Sequence, residues 1–318
     1  MSERVERFFT ALLLAAAVAF TYQNALVRPK PGEPREDADA RQRALIEQRP
    51  HVALAYELWQ VAGLTAFVGV SGVLVARARR GVVLPDPLRD PPPWGVGDFT
   101  LVFVGNLALQ MTAALATRNS SPLGEIAGIA VSSMAAPVLV FGWVRLRGAS
   151  GSSAYRELGL VGFSIKEVAR GAVGSIALVP VALASQLASA WLCRRLDAPL
   201  VEHPLLVKLE HNPDPRTFLV LLVVVSVIAP FSEEILFRGY LLRALRRTIP
   251  SRAGALLASA FFFGALHGLS NLLPIGWVGF VFGFLFLSSP RRSLLGSMVC
   301  HGLFNATQLA FQYALVAR

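Results

Sequence analysis

Long runs without charged side chains alternate along the chain with short stretches that carry arginine. No Asp, Glu, Lys or Arg occurs in 99–117, 171–193 or 253–290. A helix that crosses a bilayer needs about 20 predominantly apolar residues, so these runs have the length of membrane spans. The last run is long enough for two spans, and the segment from Gly268 to Pro274 predicts the turn that divides it.

The pattern predicts an all-α protein, a polytopic transmembrane helical bundle of about 8–9 spans. The chain then divides into 1–150, an N-terminal membrane region of about four spans with a polar loop at 28–51, and 151–318, a C-terminal core. We interpret the first apolar run as a retained anchor, because it is longer than a signal-peptide core. The predicted spans are 8–27, 53–76, 99–117, 122–144, 169–192, 217–243, 252–270, 274–289 and 293–315.

Composition excludes an ordinary soluble enzyme. Hydrophobic residues make up 54% of the chain and charged residues 16%, against about 25% charged residues in soluble domains. The formal net charge is +10, but the arginines lie between the apolar runs rather than in one patch. This distribution favours contact with lipid headgroups and argues against nucleic-acid binding.

Compartment and redox chemistry follow from the same pattern. Basic residues are more numerous on the side that holds the N-terminus and the loops after even-numbered spans, which predicts a cytoplasmic N-terminus. We expect a multi-pass protein of the bacterial inner (cytoplasmic) membrane. Cys193 and Cys300 lie in or at the end of apolar runs, so neither a disulfide framework nor a Cys-based zinc site is indicated.

Two adjacent carboxylates, Glu233 and Glu234, lie inside the predicted span 217–243. Ionisable groups within spans are costly and mark functional sites or buried pairs. Arg238 follows Glu234 by four residues on the same helical face, with the acid first, which favours an ion pair. Glu233 is rotated by about 100° and faces elsewhere. Pro230 lacks an N–H group, which predicts a kink one turn before the acids.

Two later spans also carry polar groups. His267 lies in one of these spans, and His301 and Asn305 share one helical face in another. At about 1.5 Å rise per residue, Glu233, His267 and His301 lie roughly 20, 22 and 14 Å from the arginine-bearing ends of their helices. Three helices therefore bring ionisable groups to a similar depth, which predicts one buried polar site.

Each of these residues also has a purely structural interpretation. Glu234 and Arg238 are compatible with a structural ion pair, with or without a role in a site. His267 and Asn305 are compatible with hydrogen bonds between helices.

Three motifs occur in order on separate apolar helices, and they resemble the signature motifs of the CPBP intramembrane proteases. This is the family of the CAAX prenyl endopeptidase and of bacterial Abi-type proteins. The resemblance covers 155–310, and a bacterial member similar to the myxosortase branch would remove a C-terminal sorting helix from exported proteins. The motifs are Glu233-Glu234-x-x-x-Arg238, Phe263-x-x-x-His267 and His301-x-x-x-Asn305.

The resemblance implies an intramembrane endopeptidase that hydrolyses a peptide bond of a membrane-associated protein or peptide near the bilayer surface. Carried over by motif, Glu233 is the general base that activates water, and His267 helps to hold that water. Glu234 and Arg238 fix the geometry of Glu233.

The last motif implies contact with the scissile carbonyl, by His301 and by Asn305 as an oxyanion-hole donor. Glu233, His267 and His301 are also ligand types of a catalytic zinc, so the cofactor is either none or a divalent metal such as zinc. The sequence contains no His-Glu-x-x-His motif. We favour the metal-free mechanism.

Two other functions remain as alternatives. One is a non-catalytic membrane scaffold or immunity-type protein of the same fold, although every position that the family chemistry needs is filled. The other is a proton-coupled transporter, which predicts broken helices in both halves of the chain. Only the C-terminal half carries such ionisable residues, so we rank it last.

Overall fold

The computed structural model describes residues 92–148, 152–196 and 213–316, together with residue 209 and a few positions between 48 and 58. Every regular element within these ranges is a helix, as the apolar runs predict. The predicted spans 8–27 and 53–76, and the polar loop 28–51, lie almost entirely outside the described residues.

Within the described residues, four helical runs are long and apolar enough to cross a membrane: Val96–Thr117, Pro122–Leu146, Ile165–Arg195 and Pro215–Thr248. The chain is an integral membrane protein with the fold of a helical bundle. Two shorter apolar helices, Arg252–Ala265 and Leu272–Leu287, follow, and the last described helix has 22 residues. The helices are α1 (Val96–Thr117), α2 (Pro122–Ser133), α3 (Ala135–Leu146), α4 (Ser152–Glu157), α5 (Ile165–Ala177), α6 (Val179–Arg195), α7 (Pro215–Thr248), α8 (Arg252–Ala265), α9 (Leu272–Leu287) and α10 (Leu295–Val316).

Contacts between distant residues show that successive long helices run antiparallel. At one end of the bundle, Arg170 of α5 donates to Ser288 Oγ, just after α9, at 2.6 Å. At the opposite end, Ser189 of α6 donates to the carbonyl of Ser270, which precedes α9. Helix α9 therefore begins at the second end and finishes at the first.

Most basic residues of the described helices and loops lie at the first end. By the positive-inside tendency, the orientation predicted from sequence would place this end in the cytoplasm. The basic residues at the first end are Arg145, Arg147, Arg156, Lys166, Arg170, Arg243, Arg246, Arg247, Arg252, Arg291 and Arg292; those at the opposite end are Arg118, Arg194, Arg195 and Arg216.

Two predicted spans are interrupted near a proline rather than continuous. Helices α2 and α3 meet at Met134, three residues before Pro137. Helices α5 and α6 meet at Leu178, two residues before Pro180. Proline has no N–H for the carbonyl four residues earlier, so the helix is interrupted or bent there. The spans predicted at 122–144 and 169–192 are each two short helices in one run.

Helix α7 is the central element of the bundle, and its geometry is irregular. It is π-helical at Val224–Ile228 and again at Glu234–Leu241, with a short α-helical segment between. The largest apolar cluster of the described residues surrounds its second half. There Tyr240 packs against Trp94, which lies just before α1, and against Phe99, which lies within α1. The indole N–H of Trp94 donates to the carbonyl of Tyr240 at 3.2 Å. Helix α1 is thereby held along α7.

The irregularity at Pro230 leaves one backbone carbonyl without its helical donor. In a π-helix each N–H bonds the carbonyl five residues earlier, and Ala229 N–H bonds Val224 O in this way. The next donor in the series would be residue 230, but proline has none, so Val225 O needs another partner. Asn305 Nδ2 of α10 donates to Val225 O at 2.9 Å. The kink predicted at Pro230 is thus a π-helical segment, and Asn305 of α10 supplies the hydrogen bond that Pro230 cannot donate.

Gly302 allows α10 to approach α7 at the same level. A Cβ added there would lie 2.3 Å from the carbonyl oxygen of Ser226. We expect Gly302→Ala to lower the free energy of unfolding by about 1–3 kcal/mol, because the added methyl group forces the helices apart. Thermal unfolding of the detergent-purified protein measures this loss.

Gly142→Ala is the matched control, since a Cβ at that exposed position of α3 meets nothing within 4 Å. It should leave stability unchanged or slightly raised. Equal unfolding temperatures for Gly302→Ala and the wild type would show that the close approach is not required.

Candidate active site

Glu234 lies fully buried in α7 and joins two helices through one oxygen. Its Oε1 accepts a hydrogen bond from Arg238 Nη1 at 3.0 Å and lies 3.0 Å from His301 Nδ1 of α10. The Glu234 and Arg238 side chains are 0% and 1% exposed. The ion pair predicted from the four-residue spacing is therefore present, and it lies in the interior rather than toward lipid.

Arg238 is enclosed by groups that replace water around its guanidinium. Nη2 donates to the carbonyl of Gly279 at 3.0 Å. The guanidinium carbon lies 4.5 Å from the centre of the Phe263 ring and 5.2 Å from that of Phe282, at cation–π distance. A Cβ at residue 279 would lie 2.9 Å from Phe263 and 3.1 Å from Nη2, so glycine leaves room for this arrangement.

His301 connects the buried pair to the second carboxylate. Its ring stacks on Phe282 with the ring centroids 4.4 Å apart. Because an ionised carboxylate only accepts hydrogen bonds, the contact with Glu234 places a proton on Nδ1. The other nitrogen, Nε2, lies 3.8 Å from Glu233 Oε2. That separation is too long for a hydrogen bond but close enough for electrostatic interaction.

The two adjacent glutamates have different environments. The side chain of Glu233 is 30% exposed, whereas that of Glu234 is buried. Glu233 faces a cavity, and Glu234 faces the arginine and the imidazole. The rotation between neighbouring helical positions produces this difference, as the sequence indicates.

His267 lies in a turn rather than within the predicted span 252–270. Helix α8 ends at Ala265, and the break follows from Gly268, whose φ of +91° is the left-handed region that glycine adopts easily. His267 Nδ1 lies 2.9 Å from the carbonyl of Phe263, and a carbonyl only accepts, so Nδ1 carries the proton and Nε2 is an acceptor. Asn271 Nδ2 donates to the backbone carbonyl of His267 at 3.1 Å and fixes the turn.

One cavity of about 220 Å³ receives both Glu233 and His267. Helices α1, α2, α3 and α7 and the end of α8 supply its walls, which are apolar at Phe103, Leu236 and Leu266 and polar at Ser133 and Ser232. The other four predicted site residues are not among its lining residues. His301 lies behind Glu233, Glu234 and Arg238 are buried next to His301, and Asn305 bonds the backbone of α7.

The predicted alternative of a metal held by Glu233, His267 and His301 has little geometric support. Among the described residues, no three or more His, Cys, Asp or Glu side chains are grouped so that they could hold a metal ion. The Nδ1 atom of each imidazole contacts a protein oxygen, Phe263 O for His267 and Glu234 Oε1 for His301, which leaves Nε2 of each ring as the nitrogen that can face a water or a metal.

Sequence analysis did not select two amide side chains that line the same cavity. Asn106 and Gln110 both belong to α1, in the N-terminal half of the chain. The available signal was weak but real, because they lie four residues apart, on one helical face, in a run without charged residues.

Part of the chain is similar to a known family. Residues 215–307 match the profile of the family described as Type II CAAX prenyl endopeptidase Rce1-like. The match begins where α7 begins, ends within α10 and contains all three motifs. No curated protein and no solved structure matches the chain.

The buried pair can be tested by removing one partner or both. We expect Arg238→Met to lower the free energy of unfolding by about 3–5 kcal/mol, because Glu234 is left charged and unpaired in the interior. Glu234→Gln combined with Arg238→Met should be clearly more stable than Arg238→Met alone, because no uncompensated charge remains. Thermal unfolding in detergent compares the two variants. If the double variant is the less stable of the two, an unpaired buried charge on Glu234 is not the cause of the lost stability.

Proposed function

We propose that the chain is an intramembrane endopeptidase, because residues 215–307 match the profile of the Rce1-like type II CAAX prenyl endopeptidases. It hydrolyses a peptide bond of a membrane-associated protein or peptide near the bilayer surface. The observation that carries this proposal is the environment of Glu233. Its carboxylate faces a cavity shared with His267, while the buried groups Glu234, Arg238 and His301 lie behind it.

In the first step Glu233 acts as general base. It accepts a proton from a water molecule in the cavity as the water oxygen forms a bond to the scissile carbonyl carbon. The unprotonated Nε2 of His267 accepts the second hydrogen of the water and holds it in place. This water-based mechanism does not require a metal ion.

In the second step the negative charge on the carbonyl oxygen needs hydrogen-bond donors. His301 in its imidazolium form offers an Nε2–H group beside Glu233, with Nδ1–H held by Glu234. Asn305 Nδ2 has a second hydrogen besides the one that it donates to Val225 O, and the family motif assigns that hydrogen to the oxyanion, although Asn305 does not line the cavity in this structure. The C–N bond then breaks, and Glu233 returns its proton to the leaving amine.

The roles of Glu234 and Arg238 are to position these groups. Arg238 holds Glu234, and Glu234 orients the His301 ring toward Glu233. With His301 protonated, the two carboxylates and the two cations sum to zero net charge, which lowers the electrostatic cost of the buried site.

We place the enzyme in the bacterial cytoplasmic membrane, with the arginine-rich end of the bundle in the cytoplasm. The substrate is a membrane-associated protein or peptide. One such substrate would be an exported protein from which the enzyme removes a C-terminal sorting helix, as in the myxosortase branch that the sequence resembles.

The direct test is Glu233→Gln, which removes the base and keeps the volume. Peptide mapping of membrane proteins should reveal C-termini that appear when a deletion strain is complemented with the wild type. With Glu233→Gln these C-termini should be absent, while the variant remains folded in the membrane at the wild-type amount. Loss of the base should slow cleavage by at least about 100-fold.

Glu125→Gln, near the start of α2 and outside the cavity, is the matched control and should restore cleavage. If Glu233→Gln generates the same C-termini as the wild type, the chain is a scaffold of the same fold and not a protease.

A further inference from the structure

The cavity that holds Glu233 and His267 has a second polar wall, formed by the amides of α1. Asn106 is 2% exposed, and its Oδ1 has no hydrogen-bond partner among the described residues. Gln110 lines the same cavity one turn further along. A buried polar atom without a partner is costly, so its retention calls for an explanation.

A donor that enters the cavity with a ligand can supply the missing partner. Oδ1 of an amide only accepts hydrogen bonds, and no described side chain donates to it. A structural amide that joins two helices would bond a neighbouring helix, as Asn305 does with Val225 O. A peptide backbone is the class of ligand that the proposed reaction brings to this cavity, and its N–H groups are suitable donors.

The spacing of the two amides fits a particular backbone conformation. Asn106 and Gln110 are four residues apart, which corresponds to about 6 Å along the helix axis. The N–H groups on one edge of an extended strand recur every second residue, at about 6.6 Å. Two N–H groups on one edge of an extended segment match this spacing, whereas the N–H groups inside a helical turn are already bonded to the helix's own carbonyls.

We propose that Asn106 and Gln110 are substrate-binding residues that accept hydrogen bonds from backbone N–H groups of an extended peptide segment beside the scissile bond. The inference rests on the proposed function and names what the enzyme recognises, an unwound segment whose N–H groups are free. A substrate that stays helical up to the cleavage point has these groups bonded internally and is not bound. Helix α1 therefore contributes to specificity although it lies outside the matched region.

The test uses the full-length protein in the deletion strain and follows the C-termini that the wild type generates. Asn106→Ala removes the acceptor without filling the cavity. After induction these C-termini should appear about 10-fold more slowly than with the wild type, since one hydrogen bond to the substrate is lost and its N–H is left unpaired. Gln110→Ala should also slow the appearance of these C-termini. Thr112→Ala, an exposed position of the same helix, is the matched control and should cleave at the wild-type rate.

Stability provides the second readout. Asn106→Ala removes an unpaired buried acceptor, so the purified variant should unfold at or above the wild-type temperature. A lower unfolding temperature, or loss of folded protein from the membrane, would mean that Asn106 is structural and would overturn the inference.

The outcomes separate the inference from the proposed function. If Asn106→Ala cleaves at the wild-type rate while Glu233→Gln is inactive, the role of Asn106 is wrong and the protease assignment stands. If Glu233→Gln cleaves like the wild type, the assignment itself fails.

Discussion

Arg238 and Glu234 place a cation and an anion inside an apolar bundle, and the surrounding structure is arranged to tolerate them. Removing two charges from water is expensive unless other groups replace the lost hydration. Here the replacements are the faces of Phe263 and Phe282, the carbonyl of Gly279 and the imidazole of His301. Helices α8, α9 and α10 each contribute one or more of these groups around the pair on α7. The pair therefore couples the packing of the C-terminal bundle to the orientation of one imidazole, and through it to Glu233.

The backbone of α7 is adapted to the same purpose. Two π-helical segments flank the stretch that ends at Glu233. Such segments are rare and tend to occur at functional sites, because they leave carbonyl groups that other elements must bond. Pro230 has no N–H to donate to the carbonyl of Val225, and Asn305 donates to that carbonyl instead. A residue that the motif assigns to catalysis thus also secures the helix that carries the acids.

Much of this arrangement could be predicted from sequence, because the governing signals are local. Uncharged runs predicted the helices of the described region, and the four-residue spacing predicted the pair of Glu234 with Arg238. Neighbouring positions on a helix predicted that Glu233 would face elsewhere. These inferences need only helical geometry and the cost of burying charge.

Other features depend on packing and could not be read from one chain segment. The π-helical form of the kink at Pro230 depends on a donor from Asn305, 80 residues away. The turn that carries His267 was predicted too far along the chain, because apolar residues continue past the end of α8. The contribution of Asn106 to the cavity depends on how α1 packs against α7, and the sequence shows only an amide within an apolar run.

The central claim is that Glu233 and His267 act on one water molecule, and a double-mutant cycle tests it most directly. The rate at which wild-type-dependent C-termini form would be measured for Glu233→Asp, for His267→Gln and for the double variant, with the wild type as reference. If the two side chains act as a unit, the double variant is about as slow as the slower single variant, because either change already disrupts the activated water. If the two rate losses multiply, Glu233 and His267 act independently, and the claim of one shared water is contradicted.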